Sequence, residues 1–222
     1  HMPDDTYVPL PHKNVDTGMG LERLVSVIQD TPTNFETDLF MPIIEKIETL
    51  SDGIKYSESN EGKVSFKVIA DHIRAVAFAI SDGALPSNEG RGYIIRRLIR
   101  RSVMHGRRLG ITTLFLSDLV PTITEIMGDY YAELNEKLDF VQSIIKNEEE
   151  RFHETIGDGE LQLENILAQL TEEGKTVVSG AQAFQLYDTF GFPLELTEEM
   201  ALENNFTVDN DGFEVETVSY TH

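Results

Sequence analysis

One stretch constrains this chain more than any other: Pro86 to Gly110, PSNEGRGYIIRRLIRRSVMHGRRLG. Placed on a helix at 100° per residue, it divides into two faces. Arg96, Arg97, Arg100, Arg101, Arg107 and Arg108 fall on one side, with Tyr93 beside them. Ile94, Ile95, Leu98, Ile99, Ser102, Val103 and Leu109 fall on the other. The apolar side is suited to a core, which turns a ridge of guanidinium groups outward. Seven of the eighteen Lys and Arg residues lie between Arg91 and Arg108, in a chain of formal charge −21. Arginine pairs bidentately with phosphate oxygens, so this concentration in an acidic protein points to a phosphate-rich partner. Two plainer readings compete with it: a solvated basic face, or pairing with the chain's own carboxylates.

The charge is unevenly spread. Residues 1–109 hold 14 basic and 15 acidic side chains, and residues 110–222 hold 4 and 24. Only the first half can attract a polyanion, so contact over a limited length of nucleic acid is expected rather than wrapping. At 222 residues the chain can bury a core and hold one large or two modest domains. It has no cysteine, which removes disulfides and thiolate zinc sites and fits a reducing compartment. No apolar run reaches membrane-spanning length and no signal peptide is visible, so a cytoplasmic location and no membrane partner are expected.

In chain order, Gly18-Met19-Gly20-Leu21-Glu22-Arg23 leads into the apolar run Leu24 to Ile28. Glycines spaced by one residue let backbone approach a ligand closely, and a tight strand-to-helix turn gives the same pattern. Helix is expected over Thr37–Leu50 with Thr37 as its cap, and over Val64–Ile80. His72, beside Asp71, has no second histidine at ligand spacing and reads as a hydrogen-bonded structural residue. Ser87 and Asn88 are N-cap types at the mouth of the arginine helix, where a short amide can also read a base edge. Further helices are expected over Leu114–Tyr131, with Pro121 marking a start or kink, and over Asn135 to about Ile156, then Leu161–Leu170 beyond a Gly157-Asp158-Gly159 interruption. Glu148-Glu149-Glu150 reads as a solvated face. A short extended piece at Thr176–Val178, a helix over Ala181–Tyr187 and another from Thr197 to Asn204 complete a mainly α, bundle-like reading.

Four separated stretches, VDTGMGLERL, VIADHIRA, DGALPSNEGRGYIIRRLIRR and QLYDTFGFP, resemble the alanyl-tRNA synthetase family in that order and at similar spacing. The resemblance covers roughly residues 9 to 213. It implies that Gly18–Arg23 is the third class II synthetase motif, with Gly18, Gly20, Glu22 and Arg23 at the ATP site and Arg23 meeting phosphate or adenine. It implies that Asp16 holds the ammonium group of alanine. Residues 1–30 would then be a strand–helix remnant of the catalytic domain. Residues 31–222 would be a helical domain for the acceptor stem of the tRNA for alanine.

The resemblance further assigns readout of one G·U wobble pair to Asn88 and Asp188. A wobble guanine leaves its amino group without its usual partner; a carboxylate can accept from it, and an amide can donate or accept. Arg91, Tyr93, Arg96, Arg97, Arg100 and Arg101 would position the stem through its backbone. Two departures from the family pattern stand out: the first two class II motifs and the zinc-bearing editing region are missing. ATP with magnesium, and alanine, therefore belong to the full-length enzyme, zinc to the editing region alone, and this piece is expected to need no cofactor and to be inactive unaided. A stand-alone helical module that binds RNA or an acidic partner is the alternative; it would use the arginine ridge but neither Asn88 nor Asp188.

Overall fold

The computed structural model describes residues 12, 14–15, 17–58 and 60–220. Among them are eleven α-helices and one two-stranded parallel sheet, the mainly α architecture expected. The chain forms two compact units, residues 1–41 and 42–222. The N-terminal unit carries α1 (Leu21–Ile28), which starts directly after Gly20, and a 3-10 turn at Asn34–Glu36. Asp16 and most residues of the expected N-terminal strand lie outside the described residues.

In the second unit, α2 (Met41–Leu50) begins four residues later than the apolar pattern suggests. Thr37 ends the 3-10 turn in extended geometry, and its carbonyl accepts from the Phe40 and Met41 amides. Its side chain bonds back to Asn34 rather than capping α2. The long antiparallel centre is α3 (Asn60–Ser81) against α4 (Gly90–Arg108). Ile69, Ile73, Val76 and Ile80 recur every three or four residues on α3, and Ile95, Ile99 and Val103 on α4; all are buried. Each such side chain stabilises the fold by about 1.5–3 kcal/mol relative to exposure.

Three helices brace this pair: α5 (Leu116–Met127), the short α6 (Ala132–Glu136) and α7 (Leu138–His153). Pro121 sits inside α5 without breaking it. A proline nitrogen cannot donate to the carbonyl four residues back, here Ser117. Gln142 of α7 supplies the missing donor, its Nε2 lying 3.0 Å from that oxygen.

Only Glu150 of the acidic run at 148–150 is solvated. Glu148 is 3% exposed and Glu149 is fully buried. Glu149 accepts from the amides of Phe115 and Leu116 at 3.0 and 3.1 Å, closing the N-terminus of α5, where free N–H groups and the helix dipole favour a carboxylate. Burial pushes its carboxyl up to about 7 against the opposing pull of those amides.

After a break at Glu154–Thr155, α8 (Ile156–Glu172) runs straight through Gly157 and Gly159. The next helix, α9 (Gly180–Phe190), opens with a capping box between Ser179 and Gln182. Behind Pro193 comes α10 (Leu194–Glu203), three residues earlier than expected, and α11 (Asn210–Tyr220) packs on α9. The extended piece at 176–178 becomes β1 (Val177–Val178), paired with β2 (Thr207–Val208) in the register Val177 to Thr207.

Candidate nucleic-acid interface

The arginine face of α4 is turned toward carboxylates, not outward. Arg97 and Tyr93 both bond Glu195, Arg101 bonds Glu199 at 2.8 Å, and Arg108 reaches Glu199 and Glu203. Those glutamates recur every four residues on α10, so one acidic stripe lies against one basic stripe. Arg107 pairs with Glu160 of α8 at 2.7 Å. Periodicity identified the ridge correctly and could not show that α10 and α7 cover it. Burial and the neighbouring Glu195 carboxylate raise the Tyr93 phenol above its ordinary value, keeping it a hydrogen-bond donor.

Beneath the ridge lies a buried polar layer. His105, 1% exposed, meets the Ser65 hydroxyl at 3.0 Å through Nδ1 and Glu199 at 3.2 Å through Nε2. Burial lowers the imidazole's affinity for a proton, so the ring is neutral near pH 7. His105 as a hydrogen-bond partner, and Arg101 after it, hold Glu199 well below the usual carboxylate range. His72 is the structural residue expected, 3.1 Å from both Asp71 and Arg101.

Asn88 and Asp188 come together at a cleft of about 270 Å³, formed where the N-terminus of α4 meets the C-terminus of α9. Both are exposed. Arg96, Arg100, Arg151 and Tyr187 line the same cleft. Asn88 does not cap α4; Glu89 takes the N-cap position in extended geometry with no side-chain bond. The Asn88 amide oxygen instead accepts from Arg96 Nη1. Gly92 is what lets this loop cross the first turn of α4, since a Cβ there would overlap the Ser87 side chain and the Leu85 carbonyl.

Asp188 is in the last turn of α9, which Gly191 ends in left-handed geometry at φ +72. The strand of backbone beyond it is tied at two points. Arg100 Nη1 donates to the Gly191 carbonyl, and the Thr155 hydroxyl donates to the Phe190 carbonyl at 2.8 Å. The Arg100 guanidinium also stacks 5.1 Å over the Phe152 ring. Both arginines converge on Glu148: Arg100 donates from Nε and Nη2 at 2.9 and 2.7 Å, and Arg96 Nε lies at 3.0 Å as an ion contact rather than an aligned hydrogen bond.

Of the cleft's cations, Arg96 and Arg100 are therefore engaged internally, and Arg151 makes no ion pair among the described residues. Arg91, exposed one residue into α4, is likewise without a carboxylate partner among the described residues. Arg151 and Tyr187 are not singled out by the sequence, which reads Glu148 as part of a solvated face. Arg151 ends an acidic run that hides it, and the role of Glu148 depends on helices far apart in the chain.

Gly18, Gly20, Glu22 and Arg23 stand at the start of α1 in the separate N-terminal unit. Arg23 is exposed there, and no residue of α1 is buried. Among the described residues no group of three His, Asp or Glu side chains converges as metal ligands, and no helix is long and apolar enough to cross a membrane.

A helical unit with an arginine-lined cleft follows a Gly-rich helix start, and the comparisons supply the class. The model of the class II (A) tRNA synthetases matches residues 1–222, and the chain belongs to that family. It is 58% identical over 216 residues to an alanine–tRNA ligase of Enterococcus faecalis and to one of Bacillus subtilis, and 59% identical over 216 residues to one of Listeria monocytogenes. Each match covers 97% of this chain and 24% of the relative, so the chain spans about a quarter of the length of these curated relatives.

Proposed function

We propose that this chain is the part of an alanine–tRNA ligase that receives the tRNA acceptor stem and reads a G·U wobble pair at the Asn88–Asp188 cleft. The observation that carries the reading is the convergence of these two distant residues at one arginine-lined cleft. A-form RNA has a wide, shallow minor groove where base edges and 2′-hydroxyls are accessible. The free amino group of a wobble guanine projects there, and the Asp188 carboxylate accepts from it. With its oxygen held by Arg96, Asn88 presents its amide nitrogen, a donor for a pyrimidine carbonyl, a ring nitrogen or a 2′-hydroxyl. Arg91 and Arg151 supply phosphate contacts that position the stem without reading sequence. Arg97 and Arg101 join them only by exchanging a carboxylate of α10 for a phosphate.

In this reading residues 1–30 close the catalytic domain and residues 31–222 recognise tRNA. The parent enzyme, working in the cytoplasm, joins alanine to its tRNA through alanyl-adenylate. Gly18 and Gly20 leave room for the nucleotide, Glu22 stands beside it, and the exposed Arg23 neutralises phosphate charge as it develops. Asp16 holds the alanine ammonium group. Magnesium would ride on the substrate phosphates rather than in an all-protein cage. A general RNA-binding module would depend on the ridge, and the pairing of its guanidinium groups favours the specific reading.

The test is titration of acceptor-stem hairpins carrying G·U or G·C with the chain and its Asn88→Ala and Asp188→Ala variants. Each variant should lose the wobble preference. Retention of that preference by both would remove these residues from the role.

A further inference from the structure

We infer that Glu148 is a positioning residue that sets both wobble-reading side chains from a single buried carboxylate oxygen. The inference rests on the proposed reading of the Asn88–Asp188 cleft and extends it to a residue that touches no RNA. Glu148 Oε1 accepts from Arg100 Nε and Nη2 at 2.9 and 2.7 Å and makes an ion contact with Arg96 Nε at 3.0 Å. From this one point the two guanidinium groups diverge. Arg96 extends to the amide oxygen of Asn88, and Arg100 to the carbonyl of Gly191, just past the helical turn that carries Asp188. Among the described residues, Glu148 is the one side chain in contact with both arginines, hydrogen-bonded to Arg100 and ion-paired with Arg96.

Stability does not account for this arrangement. A buried arginine–glutamate–arginine group is costly to desolvate, and apolar replacements of similar volume are often neutral or better. Orientation does account for it. A guanidinium only donates, so an Arg96 held by Glu148 can face only the oxygen of the Asn88 amide. The amide nitrogen is then fixed toward the cleft. Without the anchor, Arg96 is free to swing toward the acidic surface, and the exposed Asn88 amide can turn either atom outward. The Arg100 arm acts on backbone. It fixes the left-handed turn at Gly191, whose missing Cβ leaves the space that the Arg100 guanidinium occupies.

Two measurements on the 222-residue chain separate this inference from the reading beneath it. The first needs no RNA: the side-chain amide protons of Asn88, followed by NMR in the chain and in Glu148→Gln. A held amide gives two dispersed, slowly exchanging resonances, and Glu148→Gln should collapse them toward random-coil values. Unchanged resonances would overturn the positioning role whatever the RNA result.

The second measurement is the affinity ratio for G·U over G·C hairpins in the chain, Glu148→Gln, Asn88→Ala and the double variant. The ratio should fall about tenfold in Asn88→Ala and at least as far in Glu148→Gln, and the double variant should fall no further than Glu148→Gln, because that substitution already releases the Asn88 donor. A Glu148→Gln chain that keeps the ratio, or a double variant whose loss is the product of the singles, would overturn the inference. A chain with no preference at all would overturn the wobble reading and leave the NMR result to decide the positioning role. Should Glu148→Gln fail to fold, Arg96→Gln, which cuts only the arm to Asn88, carries both measurements with the same expected and overturning results.

Discussion

Arg96 donates to the amide oxygen of Asn88, so this residue, which does not cap α4, keeps its amide nitrogen as an oriented donor. The consequence can be checked by changing one atom. Asn88→Asp preserves the partner of Arg96 and strengthens it by charge, but replaces the donor that faces the cleft with an acceptor. The variant should be at least as stable as the parent in thermal melts. It should lose about 1–3 kcal/mol of binding to a G·U hairpin, the cost of an unmade hydrogen bond near charge.

Gly191 is the corresponding weak point on the other side of the cleft. Its φ of +72 disfavours any residue with a Cβ, and the Arg100 guanidinium occupies the space a Cβ would need. Gly191→Ala should lower unfolding free energy by about 2 kcal/mol, from left-handed strain together with displacement of Arg100. Urea denaturation measures the loss. Gly174→Ala is the control: φ there is +68 with no atom within 4 Å, so it should show the strain alone.

Glu149 makes stability depend on pH in a direction opposite to an ordinary ion pair. Its carboxyl is pushed from 4.5 to about 7 in the folded chain, chiefly by burial. The folded state thus binds this proton more tightly, and the stability it contributes is complete below pH 4.5 and lost as pH rises through 7. His153, 4.0 Å away, gives no compensating charge, since burial lowers its affinity for a proton. Compared with Glu149→Gln, the parent chain should lose on the order of 2 kcal/mol between pH 5 and pH 8. Denaturant titrations of both proteins at the two pH values provide the check.

Glu199 has the opposite sign. Its carboxyl is depressed by His105 and then Arg101, so its contribution is present above pH 4.5 and lost as pH falls further. Glu199→Gln should therefore flatten the acid limb of the melting profile while lowering stability at pH 7 by on the order of 1 kcal/mol, a modest figure because the pair is partly exposed.

How far these relationships could be read from the chain depends on their range. The stripes of α3 and α4 were legible because Ile69, Ile73, Ile95 and Ile99 repeat at the helical period. Capping near Thr37 was misplaced because the 3-10 turn at Asn34–Glu36 takes up the residues that would have opened α2. Carboxylates at 148 and 149 looked solvated because polarity is local information, whereas the reasons for burying them are the α5 amides and two α4 arginines. Likewise, the α4 ridge was visible but its cover was not: Glu195, Glu199 and Glu203 show an i, i+4, i+8 pattern only once α10 is known to begin at Leu194. Asn88 and Asp188 became candidates through family resemblance. No periodicity connects them.

The pairing of the ridge also fixes an expected salt dependence. If only Arg91 and Arg151 meet phosphate, raising salt from about 50 to 200 mM should weaken hairpin binding roughly tenfold, from a slope near −0.9 per phosphate contact. Adding Arg97, Arg101 and Arg108, the arginines paired with α10, would raise the loss to roughly five-hundredfold. Titration across that range distinguishes the two, and the larger loss would mean that α10 leaves α4 when RNA binds.

Wobble reading by the Asn88–Asp188 cleft stands or falls on the affinity of the unaltered chain for two acceptor-stem hairpins that differ only in G·U against G·C. Tighter binding to the wobble hairpin by about tenfold or more is the expected result, since one free amino group and one oriented amide are at stake. Equal affinity for the two hairpins would mean that these residues contact backbone alone and that the choice of tRNA is made elsewhere.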